Sequence, residues 1–256
     1  MEPQETFDTV APLYDAVRPS YPATLVEEIV SHTALPPAAE ILEIGVGTGQ
    51  ATLLLAERGY AITGLEPGRN LAALAARNLS AYPWVRMETT SFEAWPLRAG
   101  GFDLVLSAQA FHWVAPETGY VKAAQALKPG GHLALFWNMP PDDDPVAREM
   151  DAVYDRVAPE MGAGAPRRTL GGRIARIGAD IRRSGLFWDV AVRRFPWAER
   201  YDADRYLDLL GTYSDHLALT PETRAALFAG IRAVIVGYGG AIRKPYTAVL
   251  FLARKK

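Results

Sequence analysis

From Ile41 onward, short apolar runs alternate with stretches whose apolar residues recur at helical spacing. The runs Ile41–Ile44, Ala61–Glu66, Val85–Thr89, Phe102–Ser107 and His132–Trp137 read as buried strands. Between them Gln50–Arg58, Arg69–Leu79 and Glu117–Leu127 read as helices, and Lys128-Pro129-Gly130-Gly131 reads as a tight turn before the fifth strand. Strands and helices alternating at this interval predict a parallel sheet with helices on both faces. Ahead of this region, Phe7 to Tyr21 is rich in aromatic residues and proline. Ala23–Thr33 is an amphipathic helix with Leu25, Ile29 and Val30 on one side, ended by Pro36-Pro37. Past Asn138 the rhythm breaks. Pro140-Pro141-Asp142-Asp143-Asp144-Pro145 is a turn-rich connection, residues 146–184 read as helical, and Ala203–Gly211 and Pro221–Val236 are further helices. Trp188–Phe195 and Pro245–Ala253 supply the last strands. The expectation is an α/β doubly wound, seven-stranded, mostly parallel sheet with a helical insertion.

At 256 residues and 49% apolar, the chain suits one large domain. A formal net charge of −2 lacks the broad basic footprint of a dedicated nucleic-acid binder. The absence of cysteine excludes disulfides, thiolate nucleophiles and Cys-based metal sites. His32, His112, His132 and His216 are scattered without metal-ligand spacing, so no metal is expected. The acidic Met1-Glu2-Pro3-Gln4-Glu5 has no apolar signal core, and no apolar run reaches membrane-span length, which favours a cytoplasmic protein without a membrane partner. The one basic run, Arg167, Arg168, Arg173, Arg176, Arg182 and Arg183, reads as a solvated helix face. One or two of its members facing a cleft would hold a substrate carboxylate.

The candidate chemistry begins at Glu43-Ile44-Gly45-Val46-Gly47-Thr48-Gly49, between a strand and a helix. Glycines there let a ligand approach the backbone closely, and the helix start adds free N–H groups. The third glycine comes one residue too early for a dinucleotide fingerprint, with Gln50 in the place that Gly or Ala would fill, and no G-K-[ST] closes a P-loop. Glu66, at the end of the second strand and followed by Pro67, lies about 20 residues on, where an acid can accept hydrogen bonds from ribose hydroxyls.

The Glu43-x-Gly45-x-Gly47-x-Gly49 run together with Glu66 resembles the first two motifs of the class I S-adenosylmethionine-dependent methyltransferases. That resemblance implies a Rossmann-like fold and S-adenosylmethionine as cofactor, with Glu43 meeting its ammonium and Glu66-Pro67 its ribose. The segment Ser91-Phe92-Glu93 follows the third strand, where the family commonly has an acid for adenine. Here Ser91 takes that place, so the serine hydroxyl and the Phe92 N–H are implied instead, with Glu93 as the other candidate. The run Phe102 to Trp113, which delivers Ser107 and Gln109 to the sheet edge and then His112 and Trp113, is similar to the trans-aconitate methyltransferase-like small-molecule branch. So is Arg18-Pro19-Ser20-Tyr21-Pro22, preceded by Tyr14. The resemblance covers residues 7–138 well and the remainder loosely.

The resemblance implies methyl transfer to a small molecule, with Tyr14, Arg18, Tyr21, His112, Trp113 and Asn138 as candidate acceptor-binding residues. His112 is the candidate base, needed for a phenol, amine or carbon acceptor and unnecessary for a carboxylate. The expected organisation is a single methyltransferase domain: an N-terminal lid segment at 1–37, a cofactor core at 38–138, a helical insertion at 139–184 and a C-terminal part at 185–256. The alternatives are a non-catalytic protein that binds S-adenosylmethionine or a partner on the same fold, and an RNA or DNA methyltransferase. The nucleic-acid reading lacks the Asn/Asp-Pro-Pro-aromatic motif, because the fourth strand runs into Ser107-Ala108-Gln109.

Overall fold

The computed structural model describes residues 6–162 and 169–256. In chain order the elements are α1 (Thr6–Thr9), α2 (Ala11–Val17), α3 (Ala23–Thr33), β1 (Glu40–Ile44), α4 (Gln50–Ala56), β2 (Ala61–Leu65), α5 (Arg69–Asn78), β3 (Val85–Glu88) and β4 (Phe102–Ala108). A 3-10 turn (Phe111–Trp113) follows, then α6 (Pro116–Ala126), β5 (Leu127–Met139), α7 (Pro145–Val157), α8 (Pro159–Gly162), α9 (Leu170–Arg183), β6 (Phe187–Asp202), α10 (Ala203–Leu210), α11 (Ser214–Leu217), α12 (Pro221–Gly237) and β7 (Ala241–Lys255).

Among these residues one seven-stranded sheet has the order β3-β2-β1-β4-β5-β7-β6. The strands β1 to β5 pair parallel, and β7 joins β5 antiparallel from His132↔Arg254 to Met139↔Thr247. This is the α/β doubly wound, Rossmann-like fold that the alternating pattern predicts. The order reverses beside β1 and β4, so the carboxyl ends of these two strands are where a ligand crevice forms in such sheets. The central strands are apolar on both faces, as helices on both sides require: Ile41, Leu42, Leu104, Val105, Leu106, Leu133, Ala134 and Leu135 are all fully buried.

Two details depart from the sequence reading. Lys128–Gly131 is not a separate turn but part of β5. Leu127 pairs with Phe102 and His132 with Leu104, so the extra residues bulge out while both ends stay in the ladder. Gly130 takes φ +74°, and Lys128 Nζ clips the bulge to Asp103 Oδ2 at 2.7 Å. Strand β6 also continues past Pro196 to Asp202. A proline without an N–H is tolerated there because β6 is the last strand in the order.

The chain divides into two compact units. A sheet unit comprises Ser20–Met139, Arg173–Phe195 and Thr247–Lys256. A helical unit comprises the chain up to Pro19, Pro140–Gly172 and Pro196–Tyr246. The helical unit has its own core, including Met150, Val153, Tyr201, Leu207, Leu227 and Ile231. Helices α7 and α10 start on side-chain caps: Asp144 Oδ1 accepts from the N–H of Val146 and Ala147, and Asp202 Oδ1 from that of Arg205. No described helix is long and apolar enough to cross a membrane.

Candidate functional site

The turn after β1 is built by positive-φ backbone. Gly45, Gly47 and Gly49 have φ of +71°, +62° and +98°. The N–H groups of Gly45 and Val46 both donate to Leu65 O, at 2.9 and 3.1 Å, which ties the turn to the end of β2. Gly45 is irreplaceable on steric grounds as well, because a Cβ there would lie 2.3 Å from the Cβ of Ala110. At the far side Asn78 Nδ2 donates to Thr48 O at 3.0 Å. The backbone is therefore held from both flanks before any ligand arrives.

Two acids frame this turn. Glu66 is buried, and its carboxylate spans two backbone turns: Oε2 accepts from Gly47 N at 2.8 Å and Oε1 from Gly68 N at 2.9 Å. Pro67 follows at the turn that Glu66 caps. Glu43 is 0% exposed. Burial pushes its carboxyl up to about 8, against the opposing effect of the Thr52 hydroxyl, which donates to Oε2 at 2.8 Å. Its Oε1 has no hydrogen-bond partner among the described residues. Neither do the buried Thr48 Oγ1 and Gln50 Nε2. Three unsatisfied polar atoms within eight consecutive residues are costly at about 1–3 kcal/mol each, and native proteins leave few such groups. Their clustering makes this turn the candidate place for a polar ligand.

At the end of β3, Ser91 Oγ accepts from Ala94 N at 3.2 Å, and Phe92 is 3% exposed. The Lys122 ammonium sits 5.4 Å from the Phe92 ring and donates to Glu93 O and Trp95 O. The Glu93 side chain is exposed. Lys122 braces this loop from α6; its place between Val121 and Ala123 carries no sequence signal for that role.

At the end of β4 the expected residues separate. Ser107, expected beside the cofactor, is 0% exposed, and its hydroxyl donates to Ile44 O at 2.8 Å, inside the sheet. Gln109 adopts φ +59°, uncommon for a residue with a side chain, with its N–H on Phe136 O. The 3-10 turn then presents His112 and Trp113, ring to ring at 4.8 Å and both exposed. Trp137 Nε1 on β5 donates to His112 Nδ1 at 3.2 Å. Although the residue as a whole is open to solvent, desolvation by the atoms packed around its ring, aided by the positive charge of Arg176, holds the His112 pKa below its usual value. Asn138 Nδ2 donates to Ser20 O at 3.0 Å, and the Tyr21 ring meets Phe136 edge-on at 4.8 Å. Both contacts dock the Ser20–Pro22 segment on the sheet unit.

Tyr14 and Arg18, also expected at the acceptor, belong to the helical unit. The Arg18 guanidinium donates from Nε to Thr212 Oγ1 (2.9 Å) and from Nη2 to Thr212 O (2.7 Å). It also lies 4.5 Å from the Tyr14 ring and 4.6 Å from that of Tyr213. This is a structural clasp. Arg18→Ala is expected to destabilise the protein by about 2–3 kcal/mol through two lost hydrogen bonds and the ring contacts. Thermal melting checks this, and a melting temperature equal to the parent's would refute the clasp. Of the arginine run, Arg167 and Arg168 lie outside the described residues, while Arg173, Arg176, Arg182 and Arg183 lie on α9. Arg183 pairs with Asp180 at 2.7 Å.

Residues 42–135, which span the glycine turn, Glu66 and the Phe102–Trp113 run, match the methyltransferase domain family. The chain is 32% identical over 161 residues to an uncharacterized methyltransferase of Mycobacterium tuberculosis, covering 59% of this chain and 63% of that protein. It is 30% identical over 129 residues to the trans-aconitate 2-methyltransferase of Variovorax paradoxus, covering 50% and 49%. These matches thus span about half to three-fifths of the length of the curated relatives. A solved structure from Anaeromyxobacter dehalogenans, named for a type II methyltransferase, superposes with a TM-score of 0.63 at 26% identity, covering 93% of this chain and 96% of that one. Matched domain model, sheet order and glycine turn agree: residues 42–135 are those of a methyltransferase domain, and the chain as a whole is similar to methyltransferases that share this Rossmann-like sheet.

Proposed function

We propose that this protein transfers the methyl group of S-adenosylmethionine to a small-molecule acceptor, at a carboxylate oxygen. The observation that carries the cofactor assignment is the cluster of unpartnered buried polar atoms, Glu43 Oε1, Thr48 Oγ1 and Gln50 Nε2, around a turn whose glycines admit close backbone approach. A ligand with an ammonium, a carboxylate and a ribose but no phosphate suits this set. Glu43 would meet the ammonium and Gln50 the carboxylate. Glu66 would accept from the ribose hydroxyls. The Phe92 backbone and Ser91 remain the candidates for the adenine, and Pro67, Glu93 and Gln109 for the rim.

Bound there, S-adenosylmethionine supplies an electrophilic methyl on a sulfonium whose departure as a neutral thioether needs no acid. The chain's part is then to orient the acceptor and exclude water, and alignment alone supplies a large share of such a rate enhancement. A carboxylate acceptor is ionised at neutral pH and needs no base. The positive field of Arg176 around His112 favours an anion at the end of β4.

Calorimetric titration with S-adenosylmethionine and with its demethylated product tests the cofactor assignment. Both are expected to bind in a one-to-one ratio, and absence of heat for both would overturn it. Methyl release assayed against carboxylic acids, phenols and amines then tests the acceptor. Turnover confined to amines would defeat the carboxylate assignment, and binding without turnover of any acceptor would favour a non-catalytic role.

A further inference from the structure

An indole N–H can only donate, so the 3.2 Å contact from Trp137 Nε1 to His112 Nδ1 requires a lone pair on Nδ1. Trp137 has little freedom to turn away. It is 9% exposed, lies within β5 and packs edge-on against Phe251 at 5.9 Å and 77°. A neutral imidazole with a lone pair on Nδ1 carries its proton on Nε2. The other tautomer would bring two N–H groups face to face at hydrogen-bond distance. His112 therefore presents a donor, not a lone pair, to whatever approaches its outer edge.

We infer that Trp137 locks His112 as an Nε2–H donor, so that His112 holds an anionic oxygen of the acceptor and does not act as a general base. Trp137 is then a positioning residue, acting only through the imidazole. The inference rests on the methyl-transfer reading for the identity of the ligand, but the tautomer stands on the geometry alone. It narrows the acceptor chemistry. A carboxylate oxygen accepts from Nε2–H and is already ionised for attack, whereas an ammonium would meet a second donor and a phenol would find no lone pair on His112 to take its proton. Arg176, on α9 within the same unit, adds a positive charge to the same surroundings and acts in the same sense.

The test begins with nitrogen-15 spectra of the imidazoles in uniformly labelled protein. The sequence has four histidines, so the His112 signal is identified by its loss in His112→Gln. The wild-type signal is expected to be that of a neutral ring protonated on Nε2, and Trp137→Phe is expected to yield a mixture of tautomers. A wild-type ring protonated on Nδ1 overturns the inference. Kinetics with the best carboxylic acid from the acceptor panel supply the second arm. His112→Ala is expected to raise KM by roughly 10- to 100-fold, the range for losing a hydrogen bond to a charged group, with a smaller change in kcat. Glutamine can accept from Trp137 through Oε1 and donate outward through Nε2, so His112→Gln should recover most of that loss. If His112 were the base, the glutamine variant would be as slow as the alanine variant, and kcat would carry the defect. Failure of the wild type to bind S-adenosylmethionine would sink the methyl-transfer reading, and the spectra would still decide the tautomer.

Discussion

Gly45→Ala is expected to remove S-adenosylmethionine binding almost completely. The new methyl would sit 2.3 Å from the Ala110 Cβ, where carbon atoms in contact prefer about 3.5–4.0 Å, so the turn must move by more than an ångström. It would also force an alanine to φ +71°, a left-handed conformation that costs roughly 1–2 kcal/mol. The displaced turn would carry Thr48 and Gln50 out of register with Glu43. Loss of two ligand hydrogen bonds at about 1.5 kcal/mol each corresponds to a roughly 100-fold weaker Kd. The second-site change Ala110→Gly removes the colliding methyl and leaves only the backbone cost. The double variant is therefore expected to recover about tenfold of the lost affinity, a coupling that independent sites would not display. Calorimetry on the four proteins of the cycle measures this. A Gly45→Ala protein binding within threefold of the parent would mean that the ligand does not rest on this turn.

Glu43→Gln should produce two opposite effects. In the folded protein the Glu43 carboxyl is raised from 4.5 to about 8, chiefly by desolvation. Between those two pH values the folded state holds a proton that the unfolded state has released, so stability from this group is full below about 4.5 and is lost as pH rises toward about 8. Glutamine does not titrate. The variant should therefore be close to the parent near pH 5 and gain on it progressively, by about 2–3 kcal/mol between pH 6 and pH 9, or several degrees of melting temperature. Cofactor binding should move the other way. An ammonium placed at Oε1 requires the ionised carboxylate, so at pH 7 the parent is expected to release about one proton per S-adenosylmethionine bound. Calorimetry in buffers of different ionisation enthalpy reads that proton directly. The variant should release none and bind at least tenfold more weakly. Equal proton release by both proteins would remove Glu43 from the ammonium site. A gain in stability together with a loss of binding is the trade expected of a charge buried for function.

The spacing of apolar residues was enough for most of the sheet unit. Helix α3 runs from Ala23 to Thr33, the predicted bounds, with Leu25 and Ile29 on its buried side and Pro22 at its N-cap. The early third glycine, Glu43 and Glu66 were also legible. They lie within one strand–turn–helix–strand unit, where chain connectivity places them side by side. Local signals mislead where strand pairing overrides them. Lys128–Gly131 has the composition of a turn, yet the ladder on β4 keeps it in a strand. Pro196 reads as a strand end, yet an edge strand tolerates it.

What the sequence by itself determined is the fold class, the place of the glycine turn and the acids around it, because backbone conformation and amphipathic period are short-range properties written in neighbouring residues. Only the tertiary structure decided which atoms remain available there. Ser107 spends its hydroxyl on Ile44, Arg18 spends its guanidinium on Thr212 and two rings, and Trp137 sets the proton of His112 across 25 positions of chain. Ala110, far from Gly45 in sequence, makes that glycine obligatory. These outcomes depend on strand order and register, which bring distant residues within hydrogen-bond or van der Waals range, and no local pattern encodes them.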